Sequence, residues 1–318
     1  VVRNENYWNG KAKLAKVTFK DINDQNTRAL ALKSGEIDVA YNLKVTNKAD
    51  FEKEKDIVID EIKSLRTTYA FMNQTKDLKD KVLRKAIIKG ANRENYVKNL
   101  LQGGATKGKA PIPPTLDYGF NELKDENEYD KDNAKKILAD AGYKDIDNDG
   151  YLEKPDGSKL DLKFVIYTSR EELGIYAQAF QADMKEIGIK ITLNPVSYET
   201  LLTMRDASNF DMLIWNVLAA NTGDPEKYLN ENWYSKAKTN RSGYSNPEVD
   251  KLLDELSKEF DKEKRKNLII KIQQLIMNDA ATLFFGYETT FLYSKKSVTG
   301  LKLYPIDYYW ITKDVSKS

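Results

Sequence analysis

The sequence contains no cysteine and no histidine. Without cysteine there is no disulfide, no thiolate nucleophile and no cysteine-based zinc site. Without histidine, the commonest general base near neutral pH and the commonest metal ligand are both missing. Ser-His-Asp and Cys-His triads cannot be assembled, which leaves carboxylates, lysine and tyrosine for any catalysis. The absence of cysteine suits a protein exported by an organism that avoids disulfides. An excess of one charge is missing too. The 51 Lys and Arg oppose 49 Asp and Glu for a net +2, so no strong field exists to hold nucleic acid or an anionic bilayer. No apolar run approaches the length of a membrane-spanning helix. The Gly103-Gly104 pair is not a phosphate loop, because neither glycine fingerprint surrounds it. The first residues, Val1 to Asn6, read as part of a strand-to-loop segment and not as a secretory leader.

What is present is ordinary globular composition. The chain has 318 residues, 41% of them hydrophobic, which is enough to bury a core and suits two domains. Alternation at Ala15, Val17 and Phe19 predicts a strand over 13–22. Asp24 opens a helix that Gly35 closes, and a short strand follows at Asp38–Tyr41. Two strands are expected at 57–62 and 67–72. Helices are expected over 78–91, 93–101 and 131–141, with a Pro-rich loop at 110–114. Residues 160–217 read as strand, helix, strand, helix, strand: 160–167, 170–187, 189–194, 198–206 and 210–217. That is the pattern of a sheet with crossover helices, whose ligands sit at the carboxyl ends of the strands. Here the pattern points to Trp215-Asn216 and the loop after it. Helices at 224–231, 247–259 and 262–278 and strands at 281–287 and 289–294 complete the reading, and the fold class is α/β.

Three clusters carry candidate chemistry. Asp145, Asp147, Asp149, Glu153 and Asp156 take positions 1, 3, 5, 9 and 12 of an acidic loop, with Tyr151 at 7 and Gly150 at 6. This spacing is that of an EF-hand calcium loop, where alternate oxygens wrap a hard cation and glycine permits the turn. The same residues also form an Asx-rich turn, and an Asp stands at position 12 where the bidentate Glu is usual. Second, Asn221-Thr222-Gly223-Asp224-Pro225-Glu226 follows the buried strand and serves either as a helix cap or as a cleft loop. Third, aromatic residues with polar tips cluster at Tyr228, Trp233, Tyr234 and Tyr244 and again at Tyr304, Tyr308, Tyr309 and Trp310. They suit either a ligand cleft or amphipathic packing.

Several segments resemble one family in order and spacing. They are Asn4-Glu5-Asn6-Tyr7-Trp8, Asn26 through Asp38, Val82 through Ile87, Ala141-Gly142-Tyr143 leading into Asp147-Asn148-Asp149-Gly150, Asp224-Pro225, and Gly243 through Leu252. They resemble the extracellular solute-binding proteins of family 5, the peptide-, nickel- and opine-binding receptors of ABC importers. The resemblance implies a bilobal, periplasmic-binding-protein-like fold of class II type. Family members are longer, so the chain is expected to be a C-terminal part whose second lobe is complete and whose first lobe is partial. The leader and the lipid-anchoring cysteine would lie outside it. Residues 1–68 and 292–318 would belong to lobe I and 69–291 to lobe II, with hinge crossings near Thr68–Phe71 and Tyr287–Leu292. The ligand wall of lobe II would comprise Tyr69, Asn73, Trp215, Asn216, Asn221, Asp224, Tyr228 and Tyr244. Peptide receptors of the family often carry Trp-x-x-Asp-Tyr-x-x-Pro, whose Asp clamps the peptide ammonium. Here Leu218 through Pro225 place Asn221 in that region, and Asn cannot make the charge-assisted bond.

The resemblance implies a non-enzymatic receptor that captures an extracytoplasmic solute by hinge closure and hands it to ABC permease subunits. An oligopeptide is the first expected ligand and a nickel or other metal chelate the second. No cofactor is required; the spacing of the 145–156 loop offers a seat for a calcium ion, with an Asx-rich turn as the alternative. The receptor is expected to be a monomer, either periplasmic or a cell-surface lipoprotein. The rival classes are a carboxylate-based hydrolase and a peptide-sensing surface protein.

Overall fold

A computed structural model describes residues 1–306 and 311–318; Tyr308, Tyr309 and Trp310 lie outside the described residues. Along the chain come α1 (Gln25–Ser34), β1 (Val39–Tyr41), α2 (Lys48–Phe51), β2 (Ile57–Met72), α3 (Lys81–Gly90), α4 (Arg93–Asn95) and β3 (Ala105–Lys107). Then follow α5 (Lys131–Asp140), β4 (Asp161–Tyr167), α6 (Glu171–Glu186), β5 (Lys190–Val196), α7 (Tyr198–Asp206) and β6 (Met212–Leu218). The last are α8 (Glu226–Trp233), α9 (Pro247–Leu256), α10 (Lys262–Asn278), β7 (Thr282–Lys295), β8 (Val298–Thr299) and β9 (Ser316–Lys317). The chain forms two units, 1–64 with 289–318 and 65–288.

In the first unit, the Asp24 carboxylate accepts the Thr27 amide at 2.7 Å to start α1, and Gly35 ends it at φ 80°. That left-handed conformation favours glycine. β1 pairs antiparallel with Leu292–Ser294 of β7. Leu32, Ala40, Leu43, Phe51, Ile57 and Tyr293 make the core of the unit. The strand expected over 13–22 does not form. Its backbone is joined to Val1–Arg3 by one bridge, Val2 to Lys16, and Phe19 is left exposed. Alternation alone does not make a strand where no layer buries the apolar face.

In the second unit the strands run in the order β7, β2, β6, β4, β5, with β3 also on β7. β2 is antiparallel to β6, whereas β4 is parallel to both β5 and β6. Successive strand residues face opposite sides of a sheet, so Phe284 and Phe285 serve two layers. Phe285 packs against Tyr96, Phe164, Tyr176 and Phe180, with ring centroids 5.2–6.3 Å away. Phe284 meets Tyr69 and Trp233 from the other side. Burial on both faces explains why β6 and the first half of β7 read as nearly continuous apolar runs. Arg84, buried in α3, ties that helix to the end of α10 by donating to the carbonyls of Ala280 and Asp279 at 3.0 and 2.9 Å.

Four expected strands prove to be two. Residues 57–62 and 67–72 join as β2, and 281–287 and 289–294 join as β7. The polar interruptions that separate them in the sequence mark the passage between units, at Ser64/Leu65 and Glu288/Thr289. The expected crossings were Thr68–Phe71 and Tyr287–Leu292. Smaller differences are local. The helix expected over 78–91 is a 3₁₀ turn at Asp77–Lys79 followed by α3, because the Asp80 carboxylate caps the Val82 amide at 2.8 Å. The helix expected over 93–101 is α4 followed by a π turn, Tyr96–Leu100.

Replacing Phe285 with Ala removes the ring shared by four neighbours. Stability is expected to fall by about 3–5 kcal/mol, read as a lower urea midpoint at unchanged slope.

Candidate functional site

β5 and β6 flank β4 on opposite sides. The crossover through α6 therefore leaves β4 in one direction, and the one through α7 returns beyond it. Ligand crevices form at such reversals, outside the carboxyl ends of the strands. A cleft of about 430 Å³ opens there in the second unit, along Trp215 and the 218–224 loop. Trp215 is half-buried. The Arg205 guanidinium lies 4.7 Å from its ring centroid, and the Tyr198 ring lies 6.3 Å away at 17°. Arg205 pairs with Asp206 at 2.8 Å, and Arg241 reaches the same carboxylate at 3.4 Å. Lys227 adds a third cation to the cleft wall, loosely paired with Glu231 at 3.7 Å.

Of the eight expected wall residues, Trp215, Asn221, Asp224 and Tyr228 line this cleft. Asp224 is committed twice. It caps the Glu226 amide at 2.9 Å and accepts from Arg265 at 2.7 and 3.0 Å. Tyr228 is buried, with its hydroxyl donating to the Pro111 carbonyl at 3.3 Å. The other four lie elsewhere. Tyr69 is fully buried and donates to Asn232 at 2.9 Å. Asn73 sits just past the end of β2, where it donates to the carbonyls of Phe210 and Ser208. Tyr244 donates to Asp279 at 2.8 Å. Asn216 faces the opposite side of the sheet from Trp215, as strand alternation requires. Arg205, Arg241 and Lys227 carried no spacing signal. Only the position of Arg205 in the last turn before the buried strand could have marked it.

Asn216 belongs to a buried polar chain on the α6 side of the sheet. Arg66 donates to its carbonyl oxygen at 3.0 Å, and its amide donates to the Thr68 hydroxyl at 2.6 Å. The Thr68 hydroxyl in turn donates to Glu288 at 2.5 Å. Burial pushes the Glu288 carboxyl up to about 8. The charge of Glu172 adds to the rise, while the Thr68 bond, Arg170 and Arg66 oppose it.

The acidic loop is ordered by its own backbone. Asp145 accepts the Gly150 amide at 3.0 Å, Asp149 accepts the Tyr151 amide at 2.8 Å, and the inward-turned Glu153 accepts the Ile146 amide at 2.8 Å. Asp145, Asp147 and Asp149 present oxygens within 4.8 Å of one another. The Lys159 ammonium sits among them. It pairs with Asp147, with Glu153 at 2.8 Å and with Asp149 at 3.1 Å. A backbone bridge between Glu153 and Lys159 delivers the lysine to this place. Its charge holds Asp147 below the usual carboxylate range, and the carboxylates push Lys159 up. Asp156 is turned to the Ser158 amide, at 2.9 Å. The structure therefore brings together four of the six expected loop residues, Asp145, Asp147, Asp149 and Glu153; Tyr151 takes part through its backbone amide.

An α/β unit with a ligand crevice at a strand reversal, entered and left through two long strands, has the architecture of the periplasmic-binding-protein-like fold. The chain belongs to the bacterial extracellular solute-binding proteins, family 5, whose "Middle" family model matches residues 1–240. It is 28% identical to the oligopeptide-binding protein AppA of Bacillus subtilis, over 98% of this chain and 58% of that protein. It is 27% identical to heme-binding protein A of Haemophilus influenzae, over 96% of this chain and 55% of that protein. Against the nickel-binding protein NikA of Staphylococcus aureus it is 25% identical, over 96% and 60%. The structure of B. subtilis AppA in complex with a nonapeptide superposes with a TM-score of 0.88 at 25% identity, covering 99% of this chain and 63% of that one. The chain thus spans 55–60% of the length of the relatives named. The family is one of extracellular solute-binding proteins and not of enzymes. Among the described residues no helix is long and apolar enough to cross a membrane.

Proposed function

We propose that this chain is the gripping part of the substrate-binding component of an ABC importer, and that its solute is an oligopeptide captured outside the cytoplasm. In this reading the 65–288 unit is lobe II and the other unit is part of lobe I. Capture proceeds by a hinge motion in β2 and β7. The protein transforms nothing. Closure is favoured because the solute makes more contacts with the closed state than with the open one. The partners are permease subunits. The receptor works as a monomer, periplasmic or lipid-anchored at the cell surface.

The observation that carries the reading is the cleft at the end of β6, with its indole and its three cations. Asp224 is already held by Arg265, so the acidic side chain nearest the expected clamp does not compete for a peptide ammonium. Arg205 and Arg241 instead favour an anionic group, such as the carboxylate end of a peptide lying across Trp215. The same wall suits a second solute class. A nickel ion brought as an anionic chelate would need no histidine from the protein, and this sequence has none.

Native mass spectrometry of the protein purified from its own host tests the assignment. Co-purified peptides support it, a metal chelate supports the second class, and solute turnover contradicts both. In calorimetry on the full-length protein, Trp215→Ala and Arg205→Ala are each expected to weaken peptide binding by about tenfold or more. Amidating the peptide carboxyl should cost the parent protein more than it costs Arg205→Ala.

For the 145–156 loop we read calcium as a competitor of Lys159, since an ion there must displace the ammonium. Lys159→Gln is therefore expected to show a larger calcium-dependent rise in Tm than the parent. Equal responses of the two proteins in chelator-versus-calcium melts would argue against a shared seat.

A further inference from the structure

We propose that Glu288 is a proton-operated latch at the strand crossings: protonated, it holds β2, β6 and β7 together, and ionised, it loosens them. The effect on solute grip rests on the function proposed above, whereas the latch itself does not.

The geometry comes first. The second unit begins at Leu65 and ends at Glu288, so Arg66, Thr68 and Glu288 stand within a few residues of both crossings. The chain Arg66 to Asn216 to Thr68 to Glu288 passes from β2 to β6, back to β2 and on to β7. Each link bridges two strands, and the last carboxyl is only 7% exposed. Among the described residues, the side-chain donor that reaches it is a neutral hydroxyl. That bond favours the carboxylate, but a single neutral hydroxyl compensates a buried charge poorly, so burial decides and the neutral carboxyl is the form the closed strands hold.

The surroundings set the balance among the described residues. From β2, Arg66 faces Glu288. From α6 come Glu172, itself buried, and the buried hydroxyl of Tyr176. Arg170, just before α6, is paired with Glu172 at 3.1 Å. On β3, Lys107 is drawn to Glu128 at 3.8 Å, and β6 contributes the uncharged Asn216. Burial, with Glu172 adding to it, lifts the Glu288 carboxyl from its ordinary 4.5 to about 8. The sign follows from linkage. A carboxyl whose folded value lies above its unfolded value contributes stability below the unfolded value, and that stability is lost as pH rises through the folded one. The loss therefore accumulates between the ordinary carboxyl value and about 8 and is complete in the mildly alkaline range.

The experiment is amide hydrogen exchange of the solute-free protein, corrected for intrinsic rates, across about pH 6 to 9. Protection in residues 64–68 and 286–290 is expected to fall by up to about tenfold per pH unit as pH rises towards about 8 and to level off above it, the level-off marking the midpoint. Glu288→Gln should flatten this dependence. Glu172→Gln, which removes a neighbouring charge, should move the midpoint to lower pH and serves as the informative variant if Glu288→Gln fails to fold. A flat parent profile, a parent-like slope in Glu288→Gln, or an unmoved midpoint in Glu172→Gln would overturn the proposal. Peptide calorimetry at about pH 6 and pH 9 separates the two ideas. Binding that weakens with pH in the parent but not in Glu288→Gln extends the latch to solute grip. No binding at either pH, with the exchange transition intact, overturns the solute reading and leaves the latch standing.

Discussion

The constraint on which the second unit rests is that β7 has no solvent face along its first half. Phe284 and Phe285 are adjacent in sequence and stand in different layers, one with Tyr69 and Trp233 and the other with Tyr96, Phe164, Tyr176 and Phe180. A strand buried on both sides cannot slip by one residue without placing every side chain in the wrong layer. Strict alternation gives way just beyond: an added Cβ at Gly286 would come within 2.2 Å of the Tyr176 hydroxyl, in the layer of Phe285 although Gly286 is two residues from Phe284. Two residues further on, Glu288 is bonded to Thr68 of β2.

The cleft depends on the same sheet in a different way. β6 lies between an antiparallel neighbour, β2, and a parallel one, β4. Its alternation sends Trp215 to the cleft and Asn216 to the polar chain beneath the other face. The cleft wall and a polar chain beside the crossings therefore occupy consecutive residues of one strand. The cations of the cleft come from elsewhere: Arg205 from α7, Lys227 from α8 and Arg241 from the loop before α9. Their convergence is a product of tertiary folding.

Much of the architecture was legible because periodicity and caps are local. The run from 160 to 217 gave its strands and helices to within a few residues, and Asp24, Gly35 and Gly142 marked helix ends as their backbone preferences require. Domain passage was less legible. A polar interval such as Lys63–Arg66 reads as the end of a strand, although here it is the middle of a strand leaving one core for another. The site was legible by position and not by residue. A cleft does open at the end of β6, but Tyr69, Asn73 and Tyr244 satisfy internal hydrogen bonds, a fate no spacing reveals. Lys159 shows the same limit from the other side. The carboxylate pattern was plain, but the ammonium among the carboxylates arrives through a bridge formed only after the chain turns at Gly157.

Arg265 joins distant parts of the second unit. Its guanidinium holds Asp224 and Glu226 beside the cleft, and it also holds the carbonyls of Leu256 and Glu259 in the turn between α9 and α10. The loop that borders the cleft is thus moored to a turn well outside it in sequence. Substitutions in that turn can re-aim the loop without altering any residue of the cleft wall. The shape of the cleft therefore has a route of change that a comparison restricted to its lining residues would not detect.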